Sequence, residues 1–231
     1  MLLPLPDDVP ERDLRQALAR VKEDLSEFKL LPFSDTKAPS LVSIVAGSRV
    51  VGSWWGHPAG PLIYRVGEAL DSDPNVLLSK LWRGKVTLID RSLWPALVRI
   101  GRARGPWQMT GMSTNSTRVL EEIDGKKAVR ITQIPPESFP GSRSMREGIR
   151  DLEQRLLILT RSVHTSSGAH ALEGESWSAW SRRMRTPHFS GSVVSAQLAL
   201  EKAAERLSPG VQPRRMFPWG RSFTRAPSRG L

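Results

Sequence analysis

The chain has 231 residues, 39% of them hydrophobic and 25% charged, which suits one large folded domain or two small ones. It contains no cysteine, which excludes disulfides, cysteine-ligated zinc and thiol catalysis and fits a reducing compartment. The formal net charge is +11, and it is uneven: residues 182–231 hold ten Lys and Arg against two Asp and Glu. Nearly all of those ten are arginines, whose planar donors suit phosphate and whose counterion release raises affinity for a polyanion. A solubilising end without a fixed partner is the plainer reading of the same residues.

The opening MLLPLPDDVPERD has an apolar run too short for a signal peptide, broken by Pro4 and Pro6. No stretch approaches the roughly 20 apolar residues that cross a bilayer. The expectation is a cytoplasmic protein with no membrane partner.

Residues 11–30 place Leu14, Leu18, Val21, Leu25 and Phe28 at helical spacing, which predicts an amphipathic helix ended by Pro32. Leu41 to Ala46 (LVSIVA), short, β-branched and stopped by Gly47, reads as a strand. GSWWGHPAG, residues 52–60, is a glycine-bracketed loop carrying Trp54, Trp55 and His57, and a helix is expected from about Pro61 to Leu70. Val76–Leu81 and Lys85–Ile89, separated by Arg83-Gly84, predict a β-hairpin, and Asp90 can cap the helix that follows.

Farther on, residues 113–123 predict a helix stopped by Asp124-Gly125, with an extended AVRITQI after it. Ser144 and Glu147 have the spacing of a capping box at the start of a helix through Ile149, Leu152, Leu156 and Leu157. The period then shifts toward strand, Ser166-Ser167-Gly168 is a turn, and the residues after it can return as a partner strand. Residues 193–207 form a further amphipathic helix, while Pro, Gly, Arg and Ser dominate from Ser208 onward and predict disorder. No internal sequence repeat is evident.

Helix, connector, helix and hairpin is the order of a winged helix-turn-helix, in which the second helix enters the major groove and the hairpin flanks it. The expected fold class is therefore α+β, with winged helix-turn-helix-like modules, short hairpins and a disordered basic tail. The expected domains are an N-terminal α+β domain with the Trp-rich loop over 1–110, a winged-helix-like domain over 111–181, and a basic helix with its tail over 182–231.

Two stretches, SWWGHPAGPLIY with KLWRGKVTLIDRSLWPAL and LEQRLLILTRSVHTSSGAHALEGESW, resemble an uncharacterised group of bacterial proteins. That group is distantly similar to the winged-helix superfamily that contains the bacterial crosslink-repair DNA glycosylase. The likeness covers roughly residues 40–180 and implies DNA binding, with DNA repair as the wider setting. The glycosylase pattern includes a catalytic Gln-x-Gln, and no two glutamines here are two apart, so no catalytic residue carries over.

Arg146 and Arg150, four apart on the expected recognition helix, with Arg143 before them and Arg161 on the wing, are the side chains placed to meet DNA. Glu147, Asp151 and Glu153 are the acids that can neutralise that surface. Lys80, Arg83, Lys85 and Arg91 gather around the first hairpin, and Arg182, Arg183 and Arg185 open the basic region. Trp54 and Trp55 can stack on unpaired bases if exposed or anchor the loop if buried, and burial of at least one is expected. Arg214, Arg215, Phe217, Trp219, Arg221, Phe223 and Arg225 mix cations with aromatics in the tail.

For chemistry there are His164 and His170, which flank the second turn, with Glu173 nearby. Structural hydrogen bonding, a phosphate or substrate contact, and metal ligation all stay open for this pair. No phosphate-binding Gly-rich loop or nucleophile elbow is present. The expected activity is DNA binding without a visible catalytic motif, no cofactor and no metal. The alternatives are a glycosylase-like repair enzyme lacking the Gln-x-Gln, and a protein-interaction module docking through the Trp-rich face.

Overall fold

The computed structural model describes residues 9–130, 142–164 and 170–220. By its internal contacts the chain divides into two units, Met1–Trp94 with Leu198–Met216 and Pro95–Gln197 with Phe217–Leu231. The architecture is mixed α and β in both. Among the described residues no helix is long and apolar enough to cross a membrane.

In the first unit, α1 (Glu11–Phe28) buries Leu14, Val21 and Leu25 of the expected stripe together with Ala17, while Leu18 and Phe28 are half-buried. It ends at Lys29, whose left-handed backbone lets its amide donate to the Leu25 carbonyl at 2.8 Å. A short strand β1 (Leu30–Pro32) follows. Leu41–Ala46 is a helix, α2, and not the strand that its β-branched residues suggest. The Ser40 hydroxyl accepts from the Ser43 amide at 3.2 Å while the Ser43 hydroxyl accepts from the Ser40 amide at 2.9 Å, and Gly47 closes the far end in the left-handed region. Caps at both ends outweigh a modest propensity penalty across six residues.

Helix α3 (Gly60–Asp71) buries Ile63, Val66 and Leu70, and its Gly67 leaves room for the Phe33 ring, 3.0 Å from where a Cβ would stand. Helices α1, α2 and α3 contact one another. The expected hairpin is present as β2 (Val76–Lys80) and β3 (Val86–Asp90), paired antiparallel from Val76 opposite Asp90 to Lys80 opposite Val86. Its connection is tighter than a simple glycine turn. Arg83 and Gly84 both take positive φ, and the buried Thr87 hydroxyl accepts the Trp82 amide at 2.9 Å. Strand β3 also pairs with β1, giving the order β1-β3-β2. The Asp90 carboxylate accepts the Ser92 amide at 3.0 Å, opening the 3-10 turn Arg91–Leu93 that leads into α4 (Trp94–Gly101).

In the second unit, a short helix α5 (Pro106–Met109) precedes α6 (Thr114–Lys126). Ser113 caps α6 by accepting the Ser116 amide at 3.0 Å. Asp124-Gly125 does not stop this helix. It runs on to Lys126, and Lys127 at φ 69° makes the exit. Strand β4 (Ala128–Arg130) is followed by residues 131–141, where the rest of the expected extended run lies outside the described residues. Helix α7 (Ser142–Gln154) begins two residues before the expected capping box, so Ser144 lies within it and is not its cap.

Strands β5 (Ile158–His164) and β6 (His170–Ser176) pair antiparallel, with β4 on the other side of β6, giving β4-β6-β5. The turn at residues 165–169 lies outside the described residues. Val119, Leu120, Ile123, Val129, Ile149, Leu152, Leu157 and Ile158 form one buried cluster under α6, α7 and the sheet. A further helix, α8 (Trp177–Arg183), starts directly at the end of β6. Its Trp177 indole donates to the Leu156 carbonyl at 2.8 Å and lies 2.4 Å from where a Cβ on Gly101 would stand, so only glycine fits there.

Apart from α2, the described elements from α1 to β3 and from α6 to β6 run in one order (helix, strand, helix, strand, strand) and share one strand order, with the third strand in the middle. In the first, α2 lies between the edge strand and the next helix; in the second, residues 131–141 between β4 and α7 lie outside the described residues.

Helix α9 (Val193–Leu207) forms as the periodicity predicts, burying Ala196, Leu200, Ala203, Ala204 and Leu207. The chain after it departs from the expected disorder. Residues 213–216 form α10 (Pro213–Met216), and a 3-10 turn follows at Pro218–Gly220. Phe217 is fully buried and Trp219 nearly so, their rings stacked 4.6 Å apart, with Trp219 edge-on to Trp107 at 6.2 Å. Two large apolar side chains supply the burial that Pro and Gly content alone does not reveal. Residues 221–231, with Arg221, Phe223 and Arg225, lie outside the described residues.

Candidate nucleic-acid interface

Helix α7 turns Ile149 and Leu152 into the core, which leaves Arg146 and Arg150 exposed on the opposite face, one turn apart. Among the described residues neither arginine makes an ion pair. Two of the acids expected to neutralise them are engaged elsewhere. Asp151 accepts the buried Arg155 Nε at 2.6 Å and the Ser116 hydroxyl at 2.8 Å, and Glu153 accepts the Thr160 hydroxyl. Glu147 has a partner as well. Arg155, 3% exposed, also donates through Nη1 to the carbonyls of Gln108 at 2.9 Å and Thr110 at 2.8 Å. It is a structural arginine that fixes α5 against the end of α7.

Arg143 falls in the first turn of α7, and its side chain lies outside the described residues, as do those of His164 and His170. The backbone register sets His164 directly opposite His170 at the end of the β5–β6 pairing. Glu173 receives the guanidinium of Arg161, its cross-strand partner, at 2.6 Å. Both are committed to each other across the sheet. Among the described residues no three His, Asp or Glu side chains converge as a metal site would require.

The cations of the first hairpin are also engaged. Lys85 lies 3.6 Å from the buried Asp35, and Arg83 Nε donates to the Met216 sulfur at 3.1 Å. Arg91 reaches Asn75 Oδ1 at 3.4 Å and stands over the Trp94 ring. Burial opposes ionisation of Asp35, but the Lys37 amide, the Lys85 ammonium, the Ala38 amide and Arg83 together prevail and hold its carboxyl below the usual range.

Arg182, Arg183 and Arg185 are all exposed, and Arg183 is bound to Glu175 at 2.6 Å, a hydrogen bond that raises its already high pKa. Trp54 is half-buried between Phe33 and Trp55. Trp55, 51% exposed, is the outer ring of the stacked pair and leans toward Tyr64. Neither tryptophan is fully buried, because the loop of 52–60 stays at the surface and the rings cover each other.

Comparison with protein families, characterised proteins and solved structures finds no match for this chain.

One group of cations escapes a reading of the sequence. Arg102, Arg104 and Lys127 lie more than 20 residues apart at their extremes, yet the second unit brings them together with Arg182 around one cleft. Locally, Arg102 follows Gly101 at the end of α4, Arg104 precedes Gly105 in the link to α5, and Lys127 follows the end of α6.

Proposed function

We propose that this chain binds duplex DNA, and that each unit is a winged-helix module. Support for the modules comes from the repeated order of helix, strand, helix, strand, strand with the third strand central, which is the arrangement such domains use to set a helix against a hairpin. On this reading α3 and α7 are the recognition helices and the β2–β3 and β5–β6 strand pairs form the wings. The duplex contact is assigned to the second unit, and the observation that carries it is the exposed Arg146–Arg150 pair, whose neighbours Asp151 and Glu153 are turned to other partners. Guanidiniums at that spacing can reach guanine edges or flanking phosphates. Arg182, Arg185, Arg214 and Arg215, all exposed, add sequence-independent attraction.

The test is a fluorescence-anisotropy titration of a labelled duplex. Binding is expected at about 50 mM salt, weakening at least about tenfold by about 200 mM as counterion release becomes less favourable. No binding at the lower salt removes the proposal.

A further inference from the structure

A cleft of about 430 Å³ opens in the second unit where the end of α4, the end of α6 and the junction of β6 with α8 meet. Four cations line it: Arg102, Arg104, Lys127 and Arg182, against a single acid, Asp124. Arg104 Nη2 holds both oxygens of Asp124, at 2.5 and 2.6 Å. Among the described residues, Arg102, Lys127 and Arg182 have no ion pair at all. Three uncompensated positive charges therefore face one concavity. Like charges held together without an internal counterion favour a multiply charged anion from outside.

The backbone supports the arrangement. Arg104 and Lys127 both take positive φ, at 49° and 69°, a conformation that costs a non-glycine residue about 1 kcal/mol or more and is held here by the surrounding packing. Beneath them the Trp177 indole is locked against Gly101 and the Leu156 carbonyl, which gives the cleft a rigid floor.

We propose that this cleft is a phosphate-binding site, taking a doubly charged or repeated phosphate group on a ligand up to mononucleotide size. Lys127 supplies a point charge, and Arg102 and Arg182 supply planar donor sets. Arg104 stays tied to Asp124 and sets the edge of the cleft. The site requires neither α7 nor the wing, so it goes beyond the duplex-binding proposal. Its phosphate can come from a nucleic-acid backbone or from a free phosphorylated compound.

Isothermal titration of the full chain with inorganic pyrophosphate tests it, alongside duplex titration of the same proteins. Wild-type protein is expected to bind pyrophosphate, Lys127→Gln with Arg182→Gln to weaken it by about tenfold or more, and Asp124→Asn to tighten it severalfold by freeing Arg104. All three residues are exposed or at the surface, so the fold is expected to survive, and circular dichroism checks this. If the double variant also weakens duplex binding and pyrophosphate competes with the duplex, the backbone is the source. If duplex binding is unmoved, the ligand is a free phosphorylated compound. Absence of pyrophosphate binding, or an affinity that the variants leave unchanged, overturns the proposal whatever the duplex does. Loss of duplex binding alone in the wild type rejects only the DNA reading.

Discussion

In the first unit, the helix ahead of the hairpin pairs two of its outward polar groups with each other. The Tyr64 hydroxyl donates to Glu68 at 2.8 Å, and the nearby cations of the hairpin are held by Asp35, Asn75 and a methionine sulfur. In the second unit, the equivalent helix keeps Arg146 and Arg150 exposed, while two of its acids, Asp151 and Glu153, are bound by Arg155, Ser116 and Thr160. The same order of elements therefore carries two different surfaces. Apolar spacing and caps decide the topology, and the outward residues decide what it can contact.

The contrast breaks most severely if the second unit loses Arg155. Replacing it with alanine removes the donor that two carbonyls and Asp151 share in a buried setting, and a loss of about 3–5 kcal/mol in urea unfolding is expected. A change within 1 kcal/mol or so would mean that this network does not hold α7 in place.

A smaller effect is expected from Gly101→Ala, about 1–3 kcal/mol, because the new methyl meets the Trp177 ring at 2.4 Å. Its thermal midpoint should fall, and tryptophan fluorescence should report the displaced indole.

The first unit offers an acid-sensitive counterpart. Asp35 and Asp73 both sit below the usual carboxylate range. Burial opposes this in each, but is outweighed for Asp35 by the Lys37 amide and Lys85, and for Asp73 by Lys22 and the Asn75 amide. A carboxylate whose folded pKa is depressed contributes stability that is present above its unfolded pKa, about 3.9, and is lost as the pH falls through the lower folded value. Unfolding free energy should therefore drop below about pH 4. Asp35→Asn should cost about 1 kcal/mol at neutral pH and flatten that slope. A wild-type profile that is flat between pH 5 and about 2 would contradict this assignment.

Much of the framework was legible in the sequence because single long signals govern it. The α1 stripe, the β2–β3 hairpin and the switch from α7 to β5 all follow from spacing of apolar residues over ten residues or so. LVSIVA misled because six residues are too few for a period to declare itself, and the decisive groups, Ser40 and Gly47, lie just outside the run. Residues 208–220 misled in the other direction, since buried Phe217 and Trp219 counted as part of an arginine-rich tail. Arg146 and Arg150 were visible by their i, i+4 spacing. That their acidic neighbours turn to Ser116 and Thr160 depends on chain segments far away in sequence. The cleft of Arg102, Lys127 and Arg182 depends on such distant segments entirely.

The central claim is that duplex affinity resides in the exposed pair on α7. Two variants that each remove two positive charges, Arg146→Gln with Arg150→Gln and Lys85→Gln with Arg91→Gln, separate it from bulk charge in one anisotropy experiment at low salt. The account predicts that the α7 pair weakens duplex binding by about 30-fold or more and the hairpin pair by less than about threefold. Equal losses in the two variants, or no loss in the first, would contradict it.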